Sequence, residues 1–309
     1  MKNFRFSSVV VSDEVATALR EGRGVVALET TIVVHGLPSP VNFEVASACE
    51  ASVRDAGSIP ATIGVLDGNV VVGLSADELA RLADPVRNAA KLSARDLGVA
   101  LAKGTDGATT VAGTITIAEH AGINVMATGG LGGVHRDASE SFDESADLTT
   151  LSRTSVLVVA SGVKSILDIG ATLERLDTLG VPVVGFGTRQ FPGFYLRDSG
   201  FELDWSVASA DEAAVAFLCH REMMTTGFLV ANPVAADKEL DRHLHDEALE
   251  SALTKSRFDG VSGKAVTPAL LAEFARHTAG LSVQVNRDLV VANAGVAGAI
   301  AASLARAYA

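Results

Sequence analysis

Aromatic residues, cysteine and positive charge are all scarce in this chain of 309 residues. Phe, Trp and Tyr together make up 5% of the chain, and the formal net charge is −12. A chain this acidic has no global positive field for a polyanion, and it has few aromatic side chains to stack on bases. These two shortages argue against a nucleic-acid partner, although a local cationic pocket could still bind one phosphate.

Cysteine is limited to Cys49 and Cys219, too few for a disulfide framework in a chain of this length. Both lie in segments with helical periodicity, and we interpret both as small core residues. The N-terminus has no long apolar segment of the kind found in signal peptides. The most apolar stretch, Leu289–Leu304, is shorter than the roughly 20 residues that span a bilayer. We therefore predict a buried helix there and a cytoplasmic protein without a membrane partner.

Short apolar runs alternate along the chain with longer segments of helical periodicity. Gly24–Leu28, Ile123–Ala127 and Ser155–Ser161 are typical of buried strands, and three helices are predicted after Asp237. Asp67-Gly68 between two β-branched runs predicts a hairpin. The alternation predicts an α/β fold, with a mainly parallel sheet between two helical layers, in one domain over residues 1–309.

The segment Met126–His135 contains four glycines directly after an apolar run. Glycine allows positive φ and close backbone approach, and successive free N–H groups in such a loop can bind an anion such as phosphate. The spacing does not fit G-x-G-x-x-G, and the chain has no P-loop motif, so neither NAD nor ATP is implied. The alternative is a plain strand exit with tight packing.

Glu29, Thr128–Gly130 and Lys164 all follow predicted strands, so they are expected at one edge of a parallel sheet. A lysine after a buried strand can be partly desolvated, which favours the neutral, nucleophilic amine. A glutamate at a strand end is well placed for acid–base catalysis. The alternatives are a surface lysine that opens the next helix and a glutamate that caps a helix or forms an ion pair.

Two groups of residues are candidates for the wall of a pocket. His35 lies in a loop stiffened by two prolines. Lys91 and Arg95 are four residues apart, a spacing that places both on one helix face, where they could bind a phosphate or a pyrimidine carbonyl. The alternative for the pair is a solvated helix face.

Asp143, Glu144 and Asp147 follow the glycine loop and could bind a hard divalent ion through carboxylates and water, or could form a solvated acidic turn. Asn286 and Asn293 are two helical turns apart in the last predicted helix and therefore share a face. Such polar residues on an apolar helix can point into a site. Asn293 could equally cap a loop within the core.

Taken together, these segments resemble the pseudouridine-5′-phosphate glycosidases, a family that also includes the indigoidine synthase A-like proteins. The resemblance covers nearly the whole chain and rests on several motifs in the same order. The motifs are Glu29–Asn42, Lys91–Leu97, Ala127–Arg136, Ser141–Leu148, Gly162–Asp168, Gly180–Gly185 and Ala231–Val234.

The resemblance implies a reversible cleavage of the C–C glycosidic bond of pseudouridine 5′-phosphate, which gives uracil and ribose 5-phosphate through a covalent lysine–ribose intermediate. It implies that Lys164 is the nucleophile, that Glu29 is the proton donor, and that Asp143 binds Mn²⁺, with Mg²⁺ or another divalent ion as a substitute. It also implies a homotrimer with an α/β/α architecture. The implied substrate-binding residues are Lys91, Val111, Thr128, Gly129, Gly130, His135, Ser145, Ala146, Asp147 and Asn286.

Two departures from the family pattern fall in the loop after Glu29, where Val34 replaces a common Ser or Thr and Ser39 a common Tyr. We expect this loop to form the pocket wall and to affect base specificity. The alternative functions are therefore a lyase or glycosidase that acts on a related phosphosugar or pigment-pathway intermediate, and a ligand-binding protein without catalysis. The intact Lys164, Glu29 and Asp143 argue against the last of these.

Overall fold

The computed structural model describes residues 9–260 and 266–307. Within these ranges the chain forms eleven strands and twelve α-helices. The strands are β1 Val9–Val11, β2 Val25–Leu28, β3 Ile59–Leu66, β4 Asn69–Val72, β5 Ala90–Leu92, β6 Gly107–Thr109, β7 Val125–Ala127, β8 Leu157–Ala160, β9 Val183–Phe186, β10 Ser206–Val207 and β11 Phe228–Ala231. The helices are α1 Asp13–Arg20, α2 Val41–Asp55, α3 Ala76–Ala83, α4 Ala94–Lys103, α5 Val111–His120, α6 Ala138–Ser141, α7 Ala146–Leu151, α8 Ile169–Thr178, α9 Ala210–Met223, α10 Arg242–Phe258, α11 Val266–His277 and α12 Leu281–Ala307.

The strands form one sheet in the order β1-β4-β3-β2-β7-β8-β11-β9-β10, with β6 paired to β3 and β5 paired to β6. All pairs are parallel except β3–β4 and β3–β6. The central strands β2, β7, β8 and β11 are buried along their whole length, as expected for a parallel sheet covered on both faces. The predicted, mainly parallel α/β fold is confirmed.

Two groups of helices cover the sheet. Helix α12 contacts α2, α9 and the strands β2, β7 and β8, whereas α5 contacts α4, α7 and the strands β2, β3 and β7. Most of the buried apolar side chains of these helices and strands belong to one connected core cluster, whereas Ala46 of α2 and Leu66 of β3 belong to a second, smaller one. The sheet is therefore the middle layer of an α/β/α arrangement.

The predicted hairpin forms, and a local capping signal starts the helix that follows it. The hairpin β3–β4 turns at Asp67 and Gly68, whose φ values of 48° and 73° are those of a tight two-residue turn. Ser75 caps α3 by accepting the N–H of Glu78, whose carboxylate accepts the N–H of Ser75.

The C-terminal part of the described chain contains the three predicted helices, and α12 includes the most apolar stretch. By length and composition alone α12 could cross a membrane, but 56% of its most apolar window is buried inside this fold. Its contacts with α2, α9 and the sheet identify it as a core helix, as predicted. Small residues such as Gly298 let it approach α2 closely, because a Cβ there would lie 2.8 Å from the Ala56 Cβ.

The two cysteines differ from each other. Cys49 is buried in the core, as predicted, and burial raises the pKa of its thiol to about 12. The prediction for Cys219 is wrong, because this side chain is exposed on α9. The buried face of that helix is formed by Ala213, Ala214 and Phe217.

Candidate active site

A cavity of about 560 Å³ opens at the carboxyl ends of β2, β7 and β8. Glu29 directly follows β2, Thr128 directly follows β7, and Lys164 lies four residues beyond β8. Because these strands are parallel neighbours, their exits meet at one edge of the sheet. The predicted shared edge is confirmed, and the cavity volume lies within the usual range for a small-molecule site.

All thirteen residues that the sequence singled out for the site line this one cavity. They are Glu29, Lys91, Val111, Thr128, Gly129, Gly130, His135, Asp143, Ser145, Ala146, Asp147, Lys164 and Asn286. Their positions come from six separate segments between β2 and α12, so the fold, not the local sequence, brings them together.

Glu29 is half-buried and lines the cavity beside the exit of β2. Thr128 Oγ1 donates a hydrogen bond to Glu29 Oε1 at 2.5 Å. Burial raises the pKa of Glu29 above its ordinary value, and the nearby Lys164 charge and the Thr128 hydrogen bond oppose that rise only in part. A raised pKa keeps more of the carboxyl protonated near neutral pH, which suits a general acid.

Lys164 is held beside the glycine loop by its backbone. Its N–H donates to Leu131 O at 3.1 Å, while Leu131 N–H donates to Gly162 O at 2.9 Å. A Cβ on Gly130 would lie 2.5 Å from the Phe194 ring and 3.5 Å from Lys164 Cγ. Gly130 is therefore required for the close approach of the Phe194 ring, and the Lys164 side chain lies at ordinary contact distance beside it. The alternative of a lysine that opens a helix is wrong, since α8 begins at Ile169.

The glycines of the loop serve close packing rather than an unusual backbone conformation. None of the four has a positive φ, so their lack of a side chain matters here and their freedom to adopt positive φ does not. A Cβ on Gly132 would lie 2.3 Å from Ser145 Oγ, and one on Gly133 would lie 2.4 Å from Thr172 Oγ1. The loop could not hold its position against these neighbours with larger residues.

Several N–H groups of the loop donate to protein acceptors. Gly132 donates to Asp147 Oδ2, Val134 to Thr172 Oγ1 and His135 to Asp143 O. The loop is therefore not an open row of free N–H groups, and the tight-packing alternative describes it better than an anion-binding nest.

Asp147 is a buried link between the glycine loop and α5. Its side chain accepts the Ala112 N–H at Oδ1 and the Gly132 N–H at Oδ2, each at 2.9 Å. The residue is only 5% exposed, so these charge-assisted hydrogen bonds are shielded from water. Asp147 lines the cavity, but both of its carboxylate oxygens already bind the protein.

The acidic residues Asp143 and Glu144, which follow the glycine loop, have different surroundings. Glu144 forms an ion pair with Arg175 at 2.8 Å. Asp143 has a side chain 41% exposed, with Oδ2 3.9 Å from His135 Nε2. No cluster of three or more metal-binding side chains occurs in the described part of the chain. A single exposed carboxylate still fits Mn²⁺ or Mg²⁺, since such ions often keep several waters and share a substrate phosphate.

Cationic side chains and helix N-termini meet on the outer side of the cavity. Lys91 lies on β5 and Arg95 in the first turn of α4, so the prediction of one shared helix face is wrong, although both residues line the cavity. Thr110 and Ser145, the N-caps of α5 and α7, also line it. Helix N-termini and cations favour an anionic ligand, so this side suits a phosphate.

His35 lines the same outer part of the cavity, in a short π-helical segment, Ile32–Gly36, that begins three residues after Glu29. Burial and the charge of Lys91 lower the pKa of His35. The neutral imidazole is therefore favoured, and it can serve as a hydrogen-bond donor and acceptor in the cavity wall.

The two asparagines of α12 have different roles. Asn286 is buried and lines the cavity, and its Oδ1 has no hydrogen-bond partner among the described residues. An unpartnered buried acceptor suits a ligand that donates a hydrogen bond. Asn293 instead donates from Nδ2 to Thr128 O at 2.8 Å, so it caps the strand exit, as the alternative predicted.

The sequence did not reveal another part of the cavity wall. Phe194 and the α11 residues Thr267, Pro268 and Leu271 line the cavity, and no local pattern marked them.

The two residues that depart from the family pattern in the loop after Glu29 do not lie in the cavity wall, where they were expected. Among the described residues that line the cavity neither Val34 nor Ser39 occurs; Val34 packs against an apolar cluster, and Ser39 is exposed.

Comparisons with known proteins identify the family of this chain. The model of the family described as indigoidine synthase A like protein matches residues 14–303. A pseudouridine-5′-phosphate glycosidase from Salinispora tropica is 59% identical over 296 residues, which cover 95% of this chain and 91% of that protein. A glycosidase of the same name from Clostridium botulinum is 47% identical, over 96% and 97% of the two chains.

Two solved structures are similar along the whole fold. The prealnumycin C-glycosynthase AlnA, in complex with ribulose 5-phosphate, is 40% identical with a TM-score of 0.90, over 97% of this chain and 98% of that one. An indigoidine synthase A-like protein from Thermotoga maritima is 34% identical with a TM-score of 0.89, over 99% of each chain.

Proposed function

This chain belongs to the indigoidine synthase A-like protein family and is an enzyme that cleaves a glycosyl bond, and we propose that its substrate is pseudouridine 5′-phosphate. The products are uracil and ribose 5-phosphate, and the reaction is reversible. The observation that carries the proposal is the meeting of a protonatable Glu29 with the Lys164 amine in a cavity whose outer side suits a phosphate.

The bond to be broken explains why both groups are needed. A C–C bond to uracil breaks only if the base carbon receives a proton and C1′ of the ribose receives electrons from a neighbouring atom. In the proposed reaction, the Lys164 amine bonds to C1′ and the ring oxygen leaves with a proton. The nitrogen lone pair then forms the C1′=N iminium as the C1′–C5 bond breaks and C5 takes a proton. Water hydrolyses the iminium, which releases ribose 5-phosphate and the free amine.

Glu29 is the proposed proton donor in this sequence. Its raised pKa and its electrostatic interaction with Lys164 support this role. Asn286 Oδ1, an unpartnered acceptor in the same cavity, is well suited to accept an N–H of the uracil ring.

Lys91, Val111, His135 and the start of α7 at Ser145–Ala146 are the proposed contacts of the ribose phosphate. Asp143 would hold Mn²⁺, or Mg²⁺, and the ion when bound would neutralise charge on the phosphate. We further propose that the enzyme is a cytoplasmic homotrimer, which sedimentation equilibrium would test directly.

The decisive experiment measures uracil release from pseudouridine 5′-phosphate with Mn²⁺ and with a chelator. Borohydride reduction in the presence of ribose 5-phosphate should trap a sugar adduct, which peptide mass spectrometry should locate on Lys164. Lys164→Ala should lose both results, and Lys103→Ala, a change at an exposed lysine of α4, should lose neither. Full activity in Lys164→Ala would exclude the lysine mechanism.

A second candidate reaction is the formation of a C-glycoside from ribose 5-phosphate and an acceptor other than uracil. The 40% identity to a C-glycosynthase favours this candidate, because the same lysine and acid could run the bond-forming direction. A panel of acceptors assayed with ribose 5-phosphate would separate the two. A better rate with a larger aromatic acceptor than with uracil would favour a related phosphosugar or pigment-pathway intermediate over the proposed substrate.

A further inference from the structure

The hydroxyl proton of Thr128 is directed at Glu29. Thr128 is 2% exposed, and its Oγ1 donates to Glu29 Oε1 at 2.5 Å. A hydroxyl has one proton, so this group cannot donate to a substrate while the bond is present. The contact thus gives Thr128 a role towards Glu29 rather than towards the ligand.

The backbone of Thr128 is held on both sides by buried groups. Its N–H donates to Val159 O on the neighbouring strand β8 at 3.0 Å, and its carbonyl accepts from Asn293 Nδ2 at 2.8 Å. Asn293 is fully buried, and its Oδ1 accepts from Asn232 Nδ2 at 2.9 Å and from Ser161 Oγ at 3.3 Å. The exits of β7, β8 and β11 are therefore joined through one asparagine.

We propose that Thr128, held in place by Asn293, is a positioning residue that directs the acidic proton of Glu29 to Oε2. The oxygen that accepts the Thr128 hydrogen bond is the better carbonyl acceptor, so the proton occupies the other oxygen, Oε2. When Oε2 gives its proton to the substrate, Glu29 becomes a carboxylate, and the Thr128 bond strengthens because its acceptor is now charged. The inference rests on the proposed function only in taking Glu29 as the acid.

Thr128→Val tests this role, because valine keeps the shape of threonine but cannot donate. Loss of a hydrogen bond that favours the charged form raises the pKa of Glu29, by about one pH unit for a typical bond to a charged group. A ¹³C NMR titration of proteins labelled at glutamate carboxyls measures this shift, and Glu29→Gln identifies the signal. The alkaline limb of the kcat/KM profile should move upward with it, and kcat should fall about tenfold or more while KM changes little.

Thr128→Ser restores the hydroxyl and should restore the wild-type titration and most of kcat. Thr154→Val is the matched control, because Thr154 is also buried but donates to Thr150 O away from the cavity, and it should leave the Glu29 titration unchanged. Asn293→Asp removes the donor to Thr128 O and should lower kcat in the same direction as Thr128→Val.

An unchanged Glu29 titration in folded Thr128→Val, or a serine variant no closer to wild type than the valine variant, would overturn the proposal. The NMR titration does not depend on turnover. If wild-type protein released no uracil but Thr128→Val still shifted the Glu29 signal, the proposed substrate would be wrong and the positioning role would stand.

Discussion

The cavity has a floor and a rim that are built differently. The floor residues are Glu29, Thr128, Asp147 and Lys164, and they lie near strand exits or in buried links behind them. The rim residues are His35, Lys91, Arg95 and Asp143, and they lie on short elements or loops at the outer side. Each described floor residue is fixed by backbone or buried side-chain contacts, whereas Arg95 has a side chain 77% exposed.

This difference separates two kinds of contribution to an enzyme. The surrounding protein sets the protonation state and the side-chain orientation of a floor residue. A substitution there therefore changes the rate of the reaction or the stability of the fold. An exposed rim charge gains little from the protein and acts mainly through the ligand that it meets. Substitutions on the floor should therefore change kcat or stability, and those on the rim should change KM.

Lys164→Ala should have the largest effect, because it removes the proposed nucleophile. We expect kcat for uracil release to fall by at least about 10³-fold, with the protein still folded by circular dichroism. An exogenous primary amine such as methylamine should restore part of the rate, since it can form the same iminium. A loss of activity that tracks unfolding would instead make Lys164 a structural residue and weaken the contrast.

Asp147→Asn should be the most destabilising floor substitution. One of the two backbone N–H groups would face an amide NH₂ instead of a carboxylate oxygen, and the bond would be lost in a buried place. We expect the free energy of unfolding in urea to fall by about 2–4 kcal/mol. Asp143→Asn is the matched rim control and should change it by less than about 0.5 kcal/mol. Equal effects of the two substitutions would contradict the distinction between floor and rim.

The sequence was sufficient for the floor because parallel topology makes strand exits meet. Glu29, Thr128 and Lys164 each follow a buried apolar run, and a parallel sheet brings such exits to one edge whatever the intervening helices do. The hairpin at Asp67-Gly68 and the cap at Ser75 were equally predictable, since each depends on residues within a few positions.

One error is local and the other arises from longer-range packing. Lys91 and Arg95 have helical spacing, but Asp96 accepts the Ser93 N–H and α4 starts at Ala94, so Ser93 and Asp96 form a capping signal that the spacing argument did not consider. The glycines of the loop were interpreted as a possible anion-binding loop, whereas Ser145, Thr172 and Phe194 require them for close contact. Those neighbours lie 13 or more positions away, so no local pattern could identify the requirement.

Arg95→Ala tests the rim. Its exposed guanidinium lines the cavity on the side that suits a phosphate, so its loss should raise KM about tenfold and leave kcat nearly unchanged. Salt should weaken the wild-type enzyme's affinity more than that of the variant, because an exposed charge is screened. Steady-state kinetics at two ionic strengths measure both effects. A fall in kcat at constant KM would contradict this prediction and would show that Arg95 acts in the reaction itself.

Glu29→Gln should change the stability of the protein least of these substitutions, and the size of the change should depend on pH. The pKa of folded Glu29 is raised above the ordinary value of 4.5, so the folded state holds this proton more tightly than the unfolded chain does. The contribution of Glu29 to stability is therefore complete below about that ordinary value and declines as pH rises through the folded pKa. Glutamine does not titrate, so the Tm of the variant should gain on that of wild type as the pH is raised across this window. If the difference in Tm between Glu29→Gln and wild type is constant across the window, burial does not set the protonation of Glu29. The floor would then not control the chemistry of its residues in the way described above.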